Sequence, residues 1–204
     1  RQSGGFGRQL LGAAVPPVAS KTPLIRRAAE AIDFVRLPMV WRELQPKEQE
    51  FRYDNTDEWL KICTAMKLGV RGGPLLNFGV RSVPDWMYIW ENDVDSILDY
   101  ARDHVHRTVQ RYASQINCWV VASGLHADSV FSFTFEQIIE LTRMATTVTR
   151  QAAPRSQVVL DITQPFGEYY ARNQRSIPPL LYADMVVQNG LPLDAFGLQF
   201  LFGI

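Results

Sequence analysis

The chain has 204 residues, 47% hydrophobic and 21% charged, which suits one globular domain with an ordinary core. Formal net charge is zero and Lys/Arg gather nowhere beyond Arg26-Arg27, so neither nucleic acid nor an anionic membrane is expected as a partner. No apolar run is long enough to span a bilayer, and no His/Cys/Asp/Glu spacing suggests a metal or cofactor site.

Residues 1–8 are rich in Gly and Ser and read as an extended or disordered lead-in to one domain over 9–204. Gln9 to Val15 reads as a first strand, and Thr22-Pro23 as a helix start, with Thr as cap and Pro in the first turn. A second strand is predicted over 34–40, although Pro38 inside it marks an edge or a bulge. Asp54 or Asn55 can cap the next helix, whose buried face carries Trp59, Leu60, Cys63 and Met66. A third strand follows over 70–76, interrupted by Gly72, Gly73 and Pro74. Asn92 opens a long amphipathic helix that ends at Arg111-Tyr112, with His104 and His106 on its surface. The run 116–123 is short, apolar and β-branched, a buried fourth strand. Thr134 and Gln137 form a capping-box pattern before the next helix. A fifth strand over 157–163, a Pro-started helix from about 178 to 188, and a sixth strand over 194–201 complete the pattern. Cys63 and Cys118 are expected as buried free thiols, Trp119 as core, and Trp59 and Trp90 as helix packing.

Six β/α units in strict alternation predict an α/β fold with a parallel sheet, either a barrel or an open doubly wound sheet. Several landmarks, in order, decide between the two. Arg111-Tyr112 leads into Trp119-Val120-Val121-Ala122-Ser123-Gly124; Trp41 precedes Pro46; Val70-Arg71-Gly72, Pro84-x-Trp86 and Gly197-Leu198-Gln199 follow suit. In this the chain resembles glycoside hydrolase family 10, the endo-1,4-β-xylanases, whose fourth strand reads Trp-Asp-Val-Val-Asn-Glu. The resemblance implies a (β/α)₈ TIM barrel, of which this chain carries about six units, and reads it as a fragment of a longer protein. It also implies a β-1,4-linked glycan of the xylan class as ligand, and a secreted or periplasmic setting. No cofactor is implied.

The departures from the family fall in its chemistry. The family's acid/base Glu is Gly124, its Lys before the second-strand Trp is Val40, and its His after Val-Arg-Gly is Gly73. Asn77, Phe78 and Leu201 replace further polar or aromatic family positions, and the nucleophile belongs to a seventh strand. A retaining glycosidase needs two carboxyl groups about 5 Å apart, and glycine cannot supply one. Glu168 is the best-placed substitute, ahead of Glu43 and Asp128. Trp41, Asn77, Trp86, His126, Gln164, Glu168 and Gln199 stand at or just past predicted strand ends, where barrel sites are built, and form the expected glycan groove. The chain is therefore expected to bind such glycans with altered or lost catalysis. The alternative is a non-catalytic interaction module on the same scaffold, with no sugar ligand.

Overall fold

The computed structural model describes residues 10–15, 27, 29–167 and 176–200. The expected lead-in 1–8, the start of the first helix at Thr22-Pro23, Glu168 and Leu201 lie outside them. Six strands, β1 (Gly12–Ala14), β2 (Phe34–Leu37), β3 (Gly69–Gly72), β4 (Cys118–Ser123), β5 (Gln157–Thr163) and β6 (Ala195–Gln199), form one sheet. They pair in sequential order and every pairing is parallel. Between them lie α1 (Trp41–Leu44), α2 (Asp54–Ala65), a 3₁₀ segment (Asp85–Trp90), α3 (Val94–Tyr112), α4 (Phe135–Ala152) and α5 (Pro179–Gln188).

The sheet is curled. Arg36 on β2 forms a 2.7 Å ion pair with Asp161 on β5. Three strand spacings of about 4.8 Å would hold those strands roughly 14 Å apart in a flat sheet. The contact requires a concave face, as in a (β/α)₈ barrel. Val35, Leu37, Val121, Val158, Leu160 and Ile162 belong to the core shared with the helices. Arg36, Asp161, Thr163 and Gln199 alternate onto the other, concave face.

Several boundaries shift for local reasons. β2 stops at Leu37 because Pro38 has no N–H to give the ladder. β3 stops at Gly72, but the chain stays beside β4: Leu75 and Leu76 donate to the Val120 and Val121 carbonyls at 2.9 and 3.1 Å. Asp93, not Asn92, caps α3, accepting from Ser96 N at 3.1 Å. The capping box of α4 forms as its sequence predicts, through Thr134 and Gln137. Cys63 and Cys118 are buried and free.

The Arg-Tyr end of α3 pins that helix to α2. Tyr112 Oη donates to Asp57 Oδ1 at 2.6 Å, and Arg111 Nη2 to Asp57 Oδ2 at 2.6 Å. Tyr112 is itself buried. Tyr112→Phe keeps the ring and removes the hydrogen bond to Asp57 together with the one the hydroxyl accepts from Arg111 Nε at 3.2 Å, so urea unfolding should show a loss of about 1.5–3 kcal/mol. A loss below about 0.5 kcal/mol would mean that Arg111 alone holds Asp57.

Candidate functional site

Gly124 is the first residue after β4 and has φ of 74°. A Cβ there would lie 3.5 Å from Thr163 Oγ1 and 3.9 Å from Asn77 Nδ2. Its nearest neighbours are thus Thr163, the last residue of β5, and Asn77, on the segment that runs beside β4 after β3. Asn77 reaches this place because Leu76 bridges to Ala122, which carries the next residue alongside the end of β4. The Asn77 side chain also accepts from Gly79 N at 2.8 Å. The register of β4 slips between Val120 and Ala122, so that Ser123 pairs with Asp161. Gln164 follows β5, exposed and at φ of 46°, and its carbonyl accepts from Gly167 N at 2.9 Å.

Two expected groove members turn inward. Trp41 is 1% exposed and its ring stacks on His104 at 4.6 Å, with Phe78 and Trp86 edge-on. No face of it is open to a pyranose. His104, expected on the helix surface, is itself fully buried, because α3 lays it between Trp41 and the Leu75 carbonyl, which lies 3.2 Å from Nε2. His126 is 1% exposed, stacks on Tyr182 and has Nε2 3.0 Å from the Thr163 carbonyl, so that nitrogen donates. Burial lowers its pKa. It braces the end of β5 and does not present a proton to solvent.

Trp86 remains half-buried. Its Nε1 donates to the Gln45 carbonyl at 2.9 Å, and its ring meets Tyr100 and Trp41 edge-on. Gln45 Oε1 in turn accepts from Trp41 Nε1 at 2.8 Å, so one residue holds both tryptophans. Glu43 is exposed, yet partial burial of its carboxyl raises its pKa. It lines a cavity of about 390 Å³ with Arg42, Arg52 and Asn55, on the α1–α2 side of the mouth. Asp128 is also exposed, and the turn after Gly124 places it there, its N–H donating to the Gly124 carbonyl at 2.9 Å.

Sequence reasoning missed the concave face beneath this mouth. There the Asp161 Oδ2 atom accepts from Arg36 Nη2 at 2.7 Å and from Gln199 Nε2 at 2.9 Å. Thr163 was missed as well. The available signal was alternation: Arg36 stands between Val35 and Leu37, and Asp161 between Leu160 and Ile162. A lone charge at such a position marks the face opposite the core.

The family model described as glycosyl hydrolase family 10 matches residues 21–203. An endo-1,4-β-xylanase from Geobacillus stearothermophilus is 26% identical over 204 aligned residues, covering 93% of this chain and 58% of that protein. The chain therefore spans little more than half the length of that relative. Among solved structures, a family 10 protein from Paenibacillus barcinonensis superposes with a TM-score of 0.74 at 20% identity, over 94% of this chain and 60% of that one. A xylanase from Cellvibrio japonicus, solved with xylopentaose, gives 0.75 at 17% identity over 95% and 41%. These likenesses bear on the fold. Six sequential parallel strands, curled about a concave face, and the family match across residues 21–203 make the chain a member of glycosyl hydrolase family 10.

Proposed function

We propose that the chain forms the glycan-binding mouth of a family 10 protein that binds β-1,4-linked glycans of the xylan class without the family's usual acid/base. The observation that carries this is Gly124. It stands at the end of β4 beside Thr163 and Asn77, with no side chain to give a proton to a glycosidic oxygen. Loss of a general acid costs about 10²–10⁴-fold in rate. Binding does not need that acid. Asn77, Trp86 and Gln199 remain partly exposed and Gln164 exposed, offering amides for hydroxyls and a ring for a sugar face. Glu168, four residues past Gln164, completes the set from the sequence. Trp41 and His126 support these residues from beneath.

The test is calorimetric titration of the intact protein with xylo- and cello-oligosaccharides, beside Trp86→Ala and Gln164→Ala. Both variants should weaken xylo-oligosaccharide binding, Trp86→Ala by about tenfold or more, the equivalent of roughly 1.4 kcal/mol. Melting curves on each variant separate lost binding from lost fold. No heat with any glycan at millimolar concentration would favour the interaction-module reading instead.

A further inference from the structure

Gln199 closes β6, and among the described residues its amide has one hydrogen-bond partner, Asp161. Its Nε2 donates to Asp161 Oδ2 at 2.9 Å, the same oxygen that meets Arg36 Nη2 at 2.7 Å. A carboxylate paired with a guanidinium only accepts hydrogen bonds, so only the NH₂ end of the Gln199 amide can face it. Oε1 is left as the end available to other donors. We propose that Asp161, braced by Arg36, is a positioning residue for glycan binding that turns Gln199 so that its carbonyl end accepts from a sugar hydroxyl.

Three features argue that this orientation is built in. The Asp161 side chain is 4% exposed, and a charge so buried is strongly destabilising without its partner. Arg36 is tethered at its other end, Nε lying 3.4 Å from the Gly73 carbonyl. Gly197, two residues before Gln199 on the same strand, has no side chain where one would overlap Asp161 Oδ1. Any larger residue at 197 would push the carboxylate from its seat. The Gln-bearing strand thus carries both the group to be oriented and the space for the group that orients it.

This inference rests on the glycan-binding reading, and a double-mutant cycle tests the two separately. Arg36→Leu/Asp161→Leu removes both charges together, a change that buried pairs tolerate better than loss of one partner. Titrated with xylotetraose, this variant should bind about tenfold more weakly, the scale of one well-oriented hydrogen bond. Gln199→Ala should weaken binding to a similar extent, and combining all three changes should cost no more than Gln199→Ala alone. Gly197→Ala, which leaves every charge in place, should reproduce the loss. If the Arg36→Leu/Asp161→Leu loss persists undiminished in the Gln199→Ala background, Asp161 does not act through Gln199 and the inference fails. Weakening by Gln199→Ala alone, with native affinity in the other variants, would also overturn it while sparing the glycan reading. If the unaltered protein binds no xylotetraose, both readings fall together.

Discussion

Gly73→Ala should destabilise the protein by more than about 4 kcal/mol, the range kept for severe steric and backbone conflicts, and Gly73→His should not fold at all. Gly73 has φ of 122°, a conformation that side chains rarely adopt. A Cβ there would overlap the Val120 carbonyl oxygen and come within 3.0 Å of Val120 Cβ. The carbonyl cannot give way freely, because it accepts from Leu75 N at 2.9 Å. Nor can residue 73 retreat, since its N–H donates to the Leu37 carbonyl at 3.0 Å. The residue is clamped between β2 and β4. Urea unfolding of Gly73→Ala checks the prediction, and a loss under 1 kcal/mol would show that β4 can shift to admit a methyl group.

That result separates two departures that look alike in sequence. On the resemblance read from the sequence, Gly73 and Gly124 stand where the family pattern has a His and a Glu. At Gly124 a new Cβ finds nothing nearer than 3.5 Å, so the cost of Gly124→Ala is only that of placing a side chain at φ of 74°. That cost is about 1–2 kcal/mol. A Cβ at 124 makes only ordinary contacts, whereas one at 73 is closed off by the backbone. The surroundings of the β3 motif have settled around glycine, and those of the β4 motif have not.

The same contrast shows how far the sequence could be read. Parallel strands covered by helices carry apolar runs, so all six were visible in order, with errors only at their ends. Pro38 trimmed β2, and Asp93 won the cap of α3 because its carboxylate reaches Ser96 N. Depth was harder to read. Trp41 follows a strand end, which suggests the mouth, yet α1 turns its ring down onto His104. His104 lies on an amphipathic helix with charged neighbours, and nothing local says that a ring on another element will cover it. Arg36 and Asp161 come from strands three places apart in the sheet, so their pairing exists only once the sheet curls. Local pattern marks which face a residue takes, and only the closed geometry says what it meets there.

Burial of His104 should make the protein lose stability as pH falls from 6.5. Desolvation of the ring lowers its pKa to about 3, against the smaller raising effect of its contact with the Leu75 carbonyl. In the unfolded chain the same ring titrates near 6.5. Below that value the unfolded state binds a proton that the folded state refuses, so acid favours unfolding. The stability is fully present above pH 6.5 and declines as pH falls toward the folded pKa. From pH 6.5 to 5 the loss amounts to about 2 kcal/mol for one such histidine. Asp194, held low first by Arg150, and Asp93, held low first by the Ser96 N–H, contribute only below the ordinary carboxylate range. His126, also lowered by burial, adds to the slope, and Glu43, raised by burial, opposes it. Both are shared by a His104→Phe variant, which keeps a flat ring against Trp41 without a titrating nitrogen. The unfolding free energy of the unaltered protein, taken relative to the variant, should therefore fall by about the same 2 kcal/mol as pH drops from 6.5 to 5, whatever their offset at neutral pH. Parallel curves across that window would mean that His104 accepts a proton in the folded state, and that the packing of Trp41 on α3 opens to water.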